Sequence, residues 1–167
     1  YKVTGVQTCA LPIFSGGVLG LSKNPQGLKA LQEDRTLIPG FVPEVIRWQT
    51  PLAHMRRIAT KDIDLKGQSI QAGDKVVMWY ISGNRDESVI CDPETLVVGR
   101  GQPRRHLSFG FGIHRCLGNR LAEMQLRVLW EEILQRFKAI EVTEQEVRVR
   151  SNFIHGISDL NVVVTRY

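Results

Sequence analysis

The longest periodic segment of the chain runs from residue 117 to about 138. Leu117, Leu121, Met124 and Val128 recur at helical spacing, and Leu126, Leu129, Trp130, Ile133 and Phe137 widen the stripe. This pattern predicts one long helix buried over much of its surface. Glu123 with Arg127, and Glu132 with Arg136, stand four residues apart, the spacing of ion pairs on an exposed helix side. Upstream, a small-residue stretch from Ser15 and a turn at Asn24-Pro25 lead into an amphipathic helix with Leu28 and Leu31 on one side. A shorter helix is expected around residues 41–48, with Pro43 imposing a late start or a kink. Residues 54–59, 63–65 and 68–70 read as short strands separated by turns at Lys66-Gly67 and, further on, Ala72-Gly73. The apolar run KVVMWYI at 75–81 suits either strand or helix, and two further strands are expected around 147–149 and 160–165. Between them, residues 82–108 are rich in Gly, Pro, Asn, Asp and Arg, and a loop of that length in a compact domain points to function.

Residues 1–14, YKVTGVQTCALPIF, show no such periodicity, and Pro12 should interrupt any helix running on into Ser15 and beyond. They resemble translated adapter sequence and are set apart from the fold, which is expected over residues 15–167. The element pattern there is mainly α with small β-sheets, an α+β class.

The chain has 167 residues, 43% of them hydrophobic, enough for a core of its own. A net charge of +5 suits a basic patch for an acidic partner as well as an ordinary soluble surface. Cys9, Cys91 and Cys116 are odd in number and widely spaced, which suggests neither a disulfide framework nor a tetrahedral zinc site and fits a reducing cytoplasm. No uncharged apolar run approaches the roughly 20 residues that span a bilayer, so no membrane segment is expected. The arginines lack the interleaved aromatics of a nucleic-acid binder, and no nucleic acid is expected as partner.

Candidate chemistry concentrates at Cys116. It stands just before the long helix in a glycine-rich approach, Phe109-Gly110-Phe111-Gly112-Ile113-His114-Arg115-Cys116-Leu117-Gly118. Unpaired N–H groups and the positive end of the helix dipole favour negative charge on a sulfur placed there, and His114 and Arg115 act in the same direction. Gly110, Gly112 and Gly118 remove side chains where a flat ligand or a tight loop needs close backbone approach. Such a sulfur has two uses: a nucleophile paired with a base such as His106, His114 or His155, or a soft ligand to a metal or haem iron.

The order F-G-x-G-x-H-x-C-x-G from Phe109 to Gly118 resembles the haem-binding signature of the cytochrome P-450 family at every specified position. Glu44-Val45-Ile46-Arg47 is similar to that family's E-x-x-R pair. The resemblance implies the C-terminal portion of the family's fold, an incomplete domain, in which Cys116 is the axial thiolate ligand of haem b, iron protoporphyrin IX. It further implies that Gly118 lets backbone amides donate to the sulfur, that His114 and Arg56 meet haem propionates, and that Phe109 shields the sulfur, with Gly110 and Gly112 shaping the approach. Glu44 and Arg47 would form a buried ion pair held by a third group, for which Arg100 is the candidate. Ala53, His54 and Met55, and the turn with Phe153 and Ile154, would contact an apolar substrate.

What the resemblance implies about activity is a monooxygenase that inserts an atom of O2 into a C–H bond, with electrons from a ferredoxin-type donor. That donor would dock on Arg104, Arg105, Arg115, Arg120 and Arg127, with Arg115 and Arg120 foremost. The stretches RWQTPLAHMRR and HLSFGFGIHRCLGNRLAEMQLRVLWEEIL look most like the bacterial soluble class that hydroxylates alkanes and fatty-acyl chains. The family's acidic residue and threonine for proton delivery, expected just before Ser15, are not matched in register by Gln7, Thr8, Cys9 and Ala10. Because the resemblance covers less than half of a family member's chain and half the walls of the site are missing, the 167 residues alone are expected to be inactive. Two alternatives stand beside this reading: a non-catalytic haem-binding chain, and a cysteine-nucleophile enzyme.

Overall fold

The computed structural model describes residues 5–167, with side chains from residue 11 onward. Residues 1–4, and the side chains of Gln7, Thr8, Cys9 and Ala10, lie outside the described set. Helix α1 (Gly5–Ser22) packs against α3 (Ile38–Gln49) and α5 (Asn119–Arg136), α2 (Pro25–Glu33) leans on α1, and a single helical turn, α4 (Tyr80–Gly83), lies between α3 and α5 in the chain. Asn24 caps α2 by accepting the Gly27 N–H at 3.1 Å, and Pro25 occupies the first turn, where its missing N–H costs nothing. The strands form four separate antiparallel pairs: β1 (His54–Ile58) with β4 (Lys75–Trp79), β2 (Ile63–Leu65) with β3 (Gln68–Ile70), β5 (Phe137–Val142) with β8 (Val162–Arg166), and β6 (Val147–Arg148) with β7 (Ile157–Asp159). At the tip of β2–β3, Lys66 and Gly67 both take positive φ, as a tight two-residue hairpin turn requires.

The core sits where α1, α3 and α5 meet, around Phe41, Val45, Ile46, Leu126, Trp130 and Leu134. Close approach here depends on two glycines of α1. A Cβ at Gly17 would lie 2.7 Å from Trp130 Cζ2, and one at Gly20 would lie 2.4 Å from Leu96 Cδ2.

Several expectations are corrected. Helix α1 continues through Pro12 instead of being interrupted there, and while Leu11 is exposed, Ile13 is fully buried in the core with Phe14 packed against it. Helix α3 likewise begins before Pro43 and continues past it, because only one intrahelical bond, that to the Pro39 carbonyl, is forfeited near the N-terminus. Helix α5 starts at Asn119 and ends at Arg136, and Phe137 opens β5 instead of closing the helix. Along α5, Ala122, Leu126, Trp130 and Leu134 are buried, while Leu121, Met124 and Val128, and Leu117 just ahead of the helix, face solvent. Glu123 pairs with Arg104 at 2.6 Å rather than with Arg127, which turns to Glu131 at 3.5 Å; the Glu132–Arg136 pair forms. No helix among the described residues is long and apolar enough to cross a membrane.

Candidate functional site: a cysteine cavity braced by a buried charge hub

The path of the loop that delivers Cys116 is fixed from behind by Glu44 and Arg47 on α3. Both are essentially inaccessible to solvent, at 0% and 1% exposure. Separated by three positions, they share one helix face, and the guanidinium grips the carboxylate twice, Nε to Oε2 at 2.8 Å and Nη2 to Oε1 at 2.9 Å. Oε1 also accepts Arg100 Nε at 2.9 Å and the Val97 N–H at 3.1 Å. The remaining donors of Arg47 reach the carbonyls of Asn84 (2.9 Å), Pro93 (2.7 Å) and Thr95 (3.1 Å). Those of Arg100 reach the carbonyls of Cys91, Asp92 and Thr95. One carboxylate and two guanidiniums thus hold the irregular segment 84–100 on the end of α3.

A second buried knot lies between that hub and the cysteine. Asn84 Nδ2 donates to Thr50 Oγ1 (2.9 Å) and Ser108 Oγ (2.8 Å), and Asn84 Oδ1 accepts the Leu107 N–H at 2.6 Å. Ser108 donates on to the Ile46 carbonyl at 2.7 Å, and Thr50 to that of Arg47 at 2.5 Å. Thr50 ends α3 in the left-handed region, at φ 42°, unusual for a β-branched residue, and its hydroxyl bonds hold it there. Sequence reading missed Thr50, Asn84 and Ser108, whose partners lie 34 and 24 positions apart.

From Ser108 the chain turns through Phe109 and Gly110, and the Cys116 N–H closes the loop on the Phe109 carbonyl at 2.8 Å. Gly110 has φ +72°, and a Cβ there would meet the Tyr80 hydroxyl at 3.0 Å, so glycine is needed on both counts. Gly112 takes φ +74° in open space. Gly118 is the N-cap of α5, and a Cβ on it would be 3.9 Å from Cys116 Sγ, which brings the start of the helix up to the sulfur. The half-buried Cys116 opens into a cavity of about 370 Å3 lined by Leu52, Met55, Arg57, Tyr80, Ser108, Phe109, Gly110 and His114.

The structure therefore brings Cys116, His114, Phe109, Gly110 and Met55 to one cavity. It does not bring Arg56, which faces solvent. Side chains alternate along β1, so Met55 and Arg57 share the cavity side while His54 and Arg56 take the other. His54 packs edge-on to Trp79 and Phe153, with ring centroids 4.8 and 5.7 Å away. Ala53 donates its N–H to the Phe153 carbonyl at 2.9 Å, and Ile154 bridges to Leu52, so the turn carrying Phe153 and Ile154 backs the cavity wall. Arg115 and Arg120 are exposed and outside any ion pair among the described residues.

No histidine hydrogen-bonds Cys116 among the described residues. His106 stacks edge-on to Phe109 at 5.6 Å, and burial pushes it down to about 4, so it is neutral at physiological pH. His155 is engaged with the Gln49 carbonyl. Nor do the described residues gather three or more His, Cys, Asp or Glu side chains that could hold a metal ion. A single sulfur at an apolar wall, with Arg57 and His114 on the same cavity, fits a ligand that brings its own remaining donors and carries acidic groups at its edge. Iron porphyrin has that chemistry.

Comparison with known proteins gives the same direction. Linalool 8-monooxygenase of Pseudomonas putida is 44% identical over 151 residues, 90% of this chain and 37% of that protein. Methyl-branched lipid omega-hydroxylase of Mycobacterium bovis is 44% identical over 153 residues, 87% of this chain and 34% of its own length. Among solved structures, cytochrome P-450-153 from Novosphingobium aromaticivorans superposes with a TM-score of 0.87 at 52% identity, over 92% of this chain and 39% of the other. The chain thus spans little more than a third of the length of these relatives. The profile of the cytochrome P-450 family matches residues 21–158, and with the cysteine loop and charge hub in place, the chain belongs to that family.

Proposed function

We propose that this chain forms the proximal, cysteine-bearing part of a haem-thiolate monooxygenase that places one atom of O2 in a C–H bond of an apolar substrate, a terpene, an alkane or a fatty-acyl chain. The observation that carries the reading is Cys116 at the wall of a cavity that Arg57 and His114 also line. Cys116 would be the iron ligand, with Phe109 and the start of α5 excluding water from the sulfur. Bound haem b supplies the oxygen chemistry, in which two electrons and two protons reduce the second oxygen atom to water.

The protein's own contribution is placement. Arg57 and His114 would hold the propionates, so the role first assigned to Arg56 passes to its neighbour. Leu52 and Met55 form the apolar wall on the substrate side. The activities for which the relatives are named, on linalool and on methyl-branched lipids, support an apolar substrate for this chain. Arg115 and Arg120 would face an acidic ferredoxin-type donor in a cytoplasmic setting. A cysteine nucleophile is disfavoured because no histidine among the described residues hydrogen-bonds the sulfur and because the charge hub would then have no evident task.

The full-length parent carrying Cys116→Ala is the direct test. Its reduced carbon monoxide spectrum should lose the thiolate-ligated absorption, and an unchanged spectrum would overturn the proposal. In the same background, Arg57→Ala should weaken haem retention roughly tenfold, as loss of one charge-assisted contact of about 1.5–3 kcal/mol implies at its low end, whereas Arg56→Ala should leave it nearly unchanged. Haem transfer to apomyoglobin measures both.

A further inference from the structure

Residues 49–53 at the end of α3 and residues 153–155 are about a hundred positions apart in sequence and are bound together by four hydrogen bonds. The Ala53 N–H donates to the Phe153 carbonyl and the His155 N–H to the Pro51 carbonyl, each at 2.9 Å. Gln49 Nε2 donates to the His155 carbonyl at 2.8 Å, and His155 Nδ1 lies 2.6 Å from the Gln49 carbonyl. The other ring nitrogen, Nε2, lies 3.0 Å from Arg148 Nη1. A guanidinium can only donate, so Nε2 must accept; Nδ1 must then carry the hydrogen and donate to Gln49. The geometry admits one state of the ring, neutral with the proton on Nδ1.

We propose that His155, in this neutral form, is a positioning residue that fixes the apolar turn bearing Phe153 and Ile154 against Leu52, and so sets the shape of the substrate side of the Cys116 cavity. The link to substrate rests on the function proposed above; the clamp itself does not. A second proton on Nε2 would face an N–H of Arg148 and add a cation beside it. The charged and titratable groups around the ring leave no carboxylate free to welcome that proton. Arg148 on β6 already engages Glu146 at 3.0 Å, Arg85 is paired with Glu94 at 3.1 Å, and His54 on β1 lies behind Phe153. Burial, with Arg148 and Arg85 assisting and the Gln49 carbonyl opposing, holds His155 below the ordinary imidazole value. A lowered folded value means the clamp is complete above the ordinary imidazole range and is lost as pH falls from there toward the depressed value. Over that window the open turn should gain about tenfold per pH unit.

The test uses nitrogen-15 NMR of the full-length parent and reads only the His155 ring and two backbone amides, so its failure is separable from failure of the haem reading. His155 should show the Nδ1–H tautomer and titrate below ordinary histidine. The amide protection factors of Ala53 and His155 should fall by about tenfold per pH unit over the same window. Arg148→Ala should raise the titration midpoint of His155 while keeping the tautomer, and His155→Phe should abolish protection of the Ala53 amide at every pH. An Nε2–H tautomer, or an ordinary titration with protection independent of pH, would overturn the proposal. In the full-length holoenzyme, His155→Phe should raise KM for an apolar substrate more than it lowers kcat and leave the iron spectrum unaltered; a lost spectrum with KM unchanged would also count against it.

Discussion

Replacing Glu44 by alanine should destabilise the chain by about 3–5 kcal/mol, enough to unfold a domain of ordinary stability. The size reflects the groups left without a partner. Glu44 is the sole carboxylate facing Arg47 and Arg100, and its Oε1 alone accepts three donors. With it gone, Arg47 keeps only carbonyl partners and sits as an uncompensated buried charge. The damage should also spread along segment 84–100, which hangs on the same two guanidiniums. Glu44→Gln preserves the shape but not the charge, and should fall between wild type and alanine. Urea denaturation followed by far-UV circular dichroism would measure the loss, with the midpoint moving far more than the slope. A shift below about 1 kcal/mol, the range of surface pairs, would show that the hub is not the footing described above.

Trp130→Ala should be comparably severe, at about 3–5 kcal/mol, whereas Trp130→Phe should cost only about 1–2 kcal/mol. Trp130 is fully buried where the three main helices meet, with Phe14 at 5.4 Å and Phe41 at 5.2 Å between ring centroids. Truncation to alanine leaves a large void that α1 cannot fill, because Gly17 already abuts the ring edge and offers no side chain. Phenylalanine retains most of the aromatic contact and also removes the indole N–H, which is buried without a partner. The contrast between the two variants is the informative quantity. Equal costs would mean that the N–H is satisfied in solution or that the ring is less tightly packed than the structure shows.

Much of this architecture was written in local patterns. The β2–β3 hairpin was legible to the residue, because a Lys-Gly pair between two short polar–apolar runs admits little else. The cysteine loop was legible because glycines, a histidine and a cysteine at fixed offsets before a helix are rarely assembled for other ends. Errors arose where two readings share one pattern. Ile133 and Phe137 continue a helical period, and with no Gly or Pro to stop it, nothing local marks the change to a strand at Phe137. Arg56 and Arg57 are adjacent cations, and counting from Arg47 picked the one whose side chain faces solvent rather than the cavity, since one step along a strand reverses the face. Pro12 and Pro43 were overweighted as breakers in helices whose packing outweighs one lost bond. The Asn84 knot was beyond sequence reading altogether, because its partners converge only in the folded chain.

The hub has one more consequence. Arg47 and Arg100 hold segment 84–100 almost wholly through peptide oxygens, those of Asn84, Cys91, Asp92, Pro93 and Thr95, which every amino acid supplies. Apart from Asn84, Ile90, Pro93 and Leu96, which are buried, the side chains of this segment can consequently drift over evolutionary time without rerouting the strand of coil that leads to the sulfur. Divergent sequences could then preserve one geometry at the cysteine, with mutational tolerance concentrated in the stretch that composition alone would have marked as the least ordered.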